Sequence, residues 1–361
     1  MSAPPLPRSA SRRNQSARTD RILIRATNWL GDAVMSLPAL RAVRRYFPSA
    51  DISVLALPAV GDLYARESFA DRILPLHALR GWRDWGGKRR AAAELRAGAF
   101  DKVLLLPNSF ESAALVWAAG IPERAGYDRD GRGILLSHAV PRPRPGEIPR
   151  HEVYYYLELI RRLGWLDALP GEVSIEMEQS GAMAAAGHEK LAGRGLSGPV
   201  IGVCPGAAFG TAKRWLPERF ASAGARLQRE TGCAIAIFGA AGERDVCQTV
   251  AGLIEGEGGS AQSLAGETSL RDFIDMAAAC RLFLTNDSGS MHIAAALGTP
   301  TVAVFGATDA TATGPSGPSA TVIYRKVDCS PCLLRECPID HRCMHAVDAK
   351  TVADVALNLL Q

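Results

Sequence analysis

The sequence predicts an α/β protein made of two doubly wound parallel sheets in two domains that face each other across a cleft. Three observations predict it. Short apolar runs alternate with longer segments of helical spacing, the pattern of parallel βαβ units. The alternation occurs as two separate series along 361 residues. That length exceeds one ordinary core and suits two domains of about 150 residues each.

Residues 1–20, "MSAPPLPRSASRRNQSARTD", hold Arg8, Arg12, Arg13 and Arg18 and no apolar stretch of the kind a secretory signal needs. Their Pro, Ser and Arg content reads as a disordered tail, either solvated or touching anionic lipid. The first domain, 21–180, opens with "RILIRA", followed by helical spacing from about Ala33 to Tyr46 and then "DISVLAL", "DRILPL" and "DKVLLLP". Pro38 is expected to kink that first helix or mark its restart. The Gly- and Ala-rich stretch 178–198 reads as the domain boundary. The second domain, 195–345, carries "PVIGVCPG", "CAIAIFGA", "RLFLTND" and "PTVAVFG". A last helix within 346–361 could cap either domain.

Composition excludes several classes. An apolar fraction of 47% and a charged fraction of 22% are those of a soluble globular chain, and no run of 18 apolar residues could span a bilayer. The net charge of +4 resides largely in the tail, so the body is nearly neutral and no nucleic-acid partner is expected. Eight scattered cysteines do not make a secreted disulfide scaffold and point to a reducing, cytoplasmic setting.

Ligands of doubly wound sheets bind where strand C-termini meet helix N-termini. In "LTNDSGSMHIAAALG", Asp287, Ser288 and Gly289 sit at such a join, where free amides and the helix dipole favour an anion such as a pyrophosphate, and His292 follows within one turn. A plain N-cap at Asp287 or Ser288 is the simpler alternative. "WLGDAV" repeats the arrangement in the first half, with Asp32 either a general base or an N-cap. "PGAAFGTAKRWLPERF" offers loop amides and hydroxyls to phosphates, with Lys213 as a point charge for a departing diphosphate. Its spacing is not that of a P-loop. Glu243 in "FGAAGERD" is either a ribose ligand or a first-turn acidic residue. Arginines in the first half, Arg83, Arg124, Arg129 and Arg132 among them, together with nearby tryptophans, suit an anionic saccharide. Asp128, Arg129 and Asp130 lie in a polar loop rather than at the end of an apolar strand and do not read as a metal-binding DxD. Cys329, Cys332, Cys337 and Cys343 could hold a structural zinc, although the spacing is not that of a zinc ribbon and a metal-free loop or a disulfide is also open.

Together "RATNWLGDAVMSLPALRAVR", "PGAAFGTAKRWLPERF", "FGAAGERD", "TNDSGSMHIAAALGTPTVAVFG" and the cysteine-rich "CSPCLLRECPIDHRCM" give a chain that resembles the ADP-heptose:lipopolysaccharide heptosyltransferases, most closely the heptosyltransferase II branch. The resemblance runs from Arg21 to the last helix. It implies a GT-B fold of two Rossmann-like domains and a glycosyltransferase at the cytoplasmic face of the inner membrane, peripheral to it. It implies inverting transfer from ADP-L-glycero-D-manno-heptose to the first heptose of heptosyl-Kdo2-lipid A, with no cofactor and no metal. On this chain it makes Asp32 the base and Lys213 the residue that steadies the leaving ADP. It sets Ala208, Phe209, Gly210 and Thr211 at the phosphates and Glu243 at the ribose. Asp287 would hold the donor heptose, while Ser288, Gly289 and His292 lie against the diphosphate. The Arg-rich loops suit Kdo carboxylates and lipid A phosphates. The Arg-rich tail departs from the family pattern and puts no catalytic assignment in doubt.

Other readings are a heptosyltransferase I, another GT-B enzyme using a different nucleotide sugar, or a nucleotide-binding or metal-sensing regulator switched by the cysteine cluster. A dehydrogenase is disfavoured because no G-x-G-x-x-G follows the first strand.

Overall fold

The computed structural model describes residues 19–77, 84–317 and 319–361. The disorder expected of the tail up to Arg18 and the acceptor role expected of Arg83 fall outside the described residues. The chain forms two compact units that divide between Val173 and Ser174.

The first unit contains β1 (Arg21–Arg25), β2 (Asp51–Ala56), β3 (Arg72–Pro75), β4 (Lys102–Leu105), β5 (Glu123–Tyr127) and β6 (His138–Val140), ordered β3-β2-β1-β4-β5-β6. The second contains β7 (Val200–Cys204), β8 (Ala234–Ile237), β9 (Ala261–Ser263), β10 (Leu282–Asn286), β11 (Thr301–Phe305) and β12 (Ala320–Tyr324), ordered β12-β11-β10-β7-β8-β9. The pairs are parallel throughout. Counted within its own unit, each sheet has the doubly wound order with its first and fourth strands adjacent at the centre. The chain reverses its winding direction there, at β1/β4 and at β7/β10, and loops leaving those strands diverge to leave an opening at their C-terminal ends.

Helices cover both faces, which is why the central strands read as unbroken apolar runs. Ile22 pairs with Ile52 and Ile24 with Leu104, and Phe283 and Leu284 pair with Thr301 and Val302; all are buried. The first helix runs unbroken over Leu30–Tyr46 with Pro38 inside it, so the expected restart does not occur. Val34, Leu37, Leu40 and Val43 are buried along that helix, and their packing holds it across the one hydrogen bond that proline removes.

The Gly- and Ala-rich stretch read as a boundary is instead the helix Ser180–Ala192 of the second unit, packed on Leu270–Ala279. Small residues serve close approach here: a Cβ on Gly187 would lie 1.9 Å from the Asp275 carbonyl oxygen. Lys190 then bridges to Asp272 and Asp275 at 2.5 and 2.7 Å. The last helix, Ala349–Asn358, also belongs to the second unit, where Val352, Ala353 and Ala356 join the core with Phe220 and Leu227.

Candidate active site

In the first unit, β1 delivers the chain to Trp29, the residue before the Leu30–Tyr46 helix, which leaves Asp32 inside the first turn. Asp32 is therefore not the N-cap. Its carboxylate instead accepts a hydrogen bond from the buried Tyr156 hydroxyl. Burial first, and then the charges of Asp32 and Glu152, push that hydroxyl well above its ordinary range. Tyr156 and Glu152 lie one turn apart on the helix Glu152–Arg162, which packs on the helix that carries Asp32. Glu152 itself is raised from 4.5 to about 7, first by desolvation and then by the negative charge of Asp32, with Arg129 opposing. Two carboxyls that repel one another around a hydroxyl make an environment for proton transfer. Sequence reasoning did not find Glu152 or Tyr156; the turn-spaced Glu and Tyr of "HEVYYYLEL" are the signal that was present.

A bidentate clamp fixes the far end of the same helix. The carboxylate of fully buried Glu158 accepts from Arg161 at 2.7 Å and from Arg162 at 2.6 Å. At the end of β1, buried Arg25 donates to Asn28 Oδ1 at 2.7 Å, and desolvation lowers its guanidinium to about 10.

The three described candidate arginines separate. Arg132 is fully buried, donating to the carbonyls of Tyr127 and Pro107 and to Asn108, so its expected role at an anionic acceptor is corrected to that of an internal strut. Arg124 is likewise engaged with the carbonyls of Leu135, Ile121 and Pro122 at 2.5–2.9 Å. Both satisfy main-chain acceptors around the short strands β5 and β6. Arg129 alone is exposed, and its charge is the one felt at Glu152.

In the second unit two loops converge at the β7/β10 switch point. The loop after β7 carries Ala208, Phe209, Gly210 and Thr211 into a short 3-10 turn, Thr211–Lys213. Lys213 Nζ reaches Asp287 Oδ2 at 2.6 Å, with side-chain exposures of 14% and 4%. Asp287 also accepts from the Thr308 hydroxyl. Phe209 lies beneath the ammonium, its ring centroid 5.0 Å from Nζ. Buried Asn286 ties the loops together, accepting from the Trp215 amide at 2.9 Å and donating to the Pro205 carbonyl at 2.7 Å. It was not singled out from sequence, where an Asn at a strand end reads only as a turn former.

Ser288 precedes the helix Gly289–Ala296 in extended conformation and makes no side-chain cap, so the plain N-cap reading fails at both Asp287 and Ser288. The Ser288 hydroxyl is 2.6 Å from that of Ser290 and 3.3 Å from that of Thr285. His292 is only 5% exposed, so its imidazole offers little surface to a diphosphate. Glu243 does act as a first-turn acid, accepting the Ala240 amide at 2.9 Å, while its carboxylate overlies Gly206 so closely that a Cβ there would lie 2.2 Å away. That seat beside the end of β7 is compatible with either reading of Glu243.

The cysteine segment packs against the same loop. Cys332 and Leu333 donate their amides to the Ala307 carbonyl just beyond β11, and Cys343 is buried in the core, its thiol raised by desolvation. Among the described residues no group of three His, Cys, Asp or Glu side chains is arranged to hold a metal ion.

A family model described as glycosyltransferase family 9 (heptosyltransferase) matches residues 88–342. The chain belongs to glycosyltransferase family 9. This family 9 enzyme is 32% identical over 326 residues to lipopolysaccharide heptosyltransferase 2 of Salmonella typhimurium, covering 85% of this chain and 90% of the relative. It is 31% identical over 306 residues to lipooligosaccharide heptosyltransferase 2 of Haemophilus influenzae, covering 84% and 88%. The solved structure of E. coli ADP-heptose lps heptosyltransferase II is similar with a TM-score of 0.77 at 28% identity, over 94% of this chain and 98% of that one. The two six-stranded parallel sheets of this glycosyltransferase are those of the GT-B fold.

Proposed function

We propose that this chain transfers L-glycero-D-manno-heptose from its ADP-activated donor to the first heptose of the lipopolysaccharide inner core, with inversion at the anomeric carbon. The observation that carries the reading is the ion pair of half-buried Lys213 with buried Asp287 beside an uncapped helix start, in a family 9 chain similar over most of its length to enzymes named heptosyltransferase 2.

Asp32 takes the proton from an acceptor hydroxyl as that oxygen bonds to the anomeric carbon. The bond from that carbon to the β-phosphate oxygen breaks in the same displacement, which inverts the centre and leaves the electron pair on ADP. Lys213 and the amides of the Ala208–Thr211 loop and of Gly289 offset the charge that develops on the departing diphosphate. Asp287 and Thr308 hold Lys213 at its post and leave Asp287 Oδ1 for a donor hydroxyl. Glu243 receives the ribose, and exposed Arg129 meets an anionic acceptor group. No cofactor and no metal takes part. The acceptor is a lipid, and the enzyme works from the cytoplasmic face of the inner membrane as a peripheral protein; among the described residues no helix is long and apolar enough to cross a membrane.

The test is ADP release from ADP-L-glycero-D-manno-heptose, with Kdo2-lipid A and its mono-heptosylated form as separate acceptors, in buffer with and without EDTA. Release confined to the mono-heptosylated acceptor and indifferent to EDTA is the expected result. Release with Kdo2-lipid A alone would assign the first heptose instead, and activity lost to EDTA and restored by a divalent cation would overturn the metal-free step.

A further inference from the structure

The cysteine-rich segment has no part in the mechanism above, yet it is in backbone contact with the loop that carries Lys213. The Arg335 carbonyl accepts the Ala212 amide at 3.0 Å, and a Cβ on Gly210 would lie 2.1 Å from the same oxygen. Gly210 is thus required for the segment to seat. The side chain of Arg335 does something separate. Its guanidinium carbon stands 5.2 Å from the Phe209 ring centroid, the ring that also carries Lys213 at 5.0 Å. One aromatic ring therefore carries two cations.

Charge separates the roles of these cations. Lys213 is paired with Asp287, so the two together are close to neutral. Arg335 is exposed and has no carboxylate partner among the described residues. The diphosphate of a nucleotide sugar, esterified at both ends, brings about two negative charges to this loop, and free ADP brings about two to three, more than a neutral pair can offset. A guanidinium supplies the missing charge and a fork of donors that matches two phosphate oxygens at once. The planar group resting on an aromatic ring is also preorganised, which lowers the entropy lost on binding.

We propose that Arg335 is a donor-binding residue, the unpaired cation that grips the diphosphate of the nucleotide sugar, and that the cysteine-rich segment is the scaffold presenting it. The inference rests on the reading of the Ala208–Lys213 loop as the border of the diphosphate, and the test separates the two.

ADP binding is measured by calorimetry at low and high salt for the full-length parent and for R335A, R335K and K213A, with melting temperatures alongside. R335A should weaken ADP by about ten- to a hundredfold, flatten the salt dependence and leave the melting temperature unchanged, because the Ala212 contact uses the Arg335 backbone carbonyl. R335K should recover part of the affinity, as a point charge without the fork. Parent-like binding by R335A beside weakened binding by K213A would overturn the inference and leave the loop reading intact. Parent-like binding by both variants would overturn the two together.

Discussion

Lys213 and Asp287 meet at 2.6 Å although 74 positions separate them in the chain, one on the loop after β7 and the other at the end of β10. The doubly wound order sets those two strands side by side, so the pairing follows from topology. Asp287 Oδ2 is committed to both Lys213 and Thr308, and Lys213 is held rather than mobile. An ammonium fixed before the reaction stabilises a leaving diphosphate without reorganising at the moment of bond breaking.

The pair should therefore behave as one unit. K213A and D287A should each lower kcat by about 10²- to 10³-fold, and the double variant should lose little beyond either single change. A double-mutant cycle on ADP release checks this, and additive losses would mean that the two side chains act separately.

Asp32 should be separable from donor binding. D32A should lower kcat by about 10²- to 10⁴-fold while the ADP dissociation constant stays within about twofold of the parent. Y156F removes the hydroxyl that holds the carboxylate, a charge-assisted bond of about 1.5–3 kcal/mol, and should reduce kcat about tenfold or more with KM little changed. Steady-state kinetics of the two variants decide whether Tyr156 positions the Asp32 carboxylate for the reaction or merely fills the core.

Glu152 should make stability pH-dependent. Its pKa is raised in the folded chain from 4.5 to about 7, so between those values the native state holds a proton that the unfolded chain has released. The stability contributed by the group is thus fully present at low pH and falls as pH rises through about 7. E152Q does not ionise, so relative to the parent it should gain about 1–3 kcal/mol between pH 5 and pH 8. Urea melts of both proteins at the two pH values measure the difference, and parallel curves would mean that Glu152 titrates normally.

Asn286 should matter for integrity rather than chemistry. N286A strands the buried Trp215 amide and the Pro205 carbonyl, at about 1–3 kcal/mol for each group not rescued by water. Chemical denaturation should show a loss of about 2–4 kcal/mol, and ADP affinity should fall as the Lys213 loop loosens.

How far the sequence could be read depends on the kind of signal each element carries. Apolar runs such as "RILIRA" and "RLFLTND" marked the central strands because parallel strands buried on both faces admit little else. The outer strands β5, β6, β9 and β12 went unread, since "ERAGY", "HAV" and "AQS" are short and only partly apolar and "ATVIY" lies at a half-exposed sheet edge. The stretch that forms the helix Ser180–Ala192 reads as a domain boundary in the sequence because Gly and Ala serve flexibility and close packing equally, and only a neighbouring helix distinguishes the two.

By itself the sequence determined the α/β class, the double series of units and the strand-to-helix joins that bear Asp32, Lys213 and Asp287, because periodicity and helix-start chemistry are local properties of the chain. The tertiary structure alone decided which side chains meet. It joined Lys213 to Asp287 and Tyr156 to Asp32, withdrew Arg132 into the interior and set Arg335 over Phe209. Such pairings depend on strand order and on the competition of buried carbonyls for donors, and no local pattern encodes either.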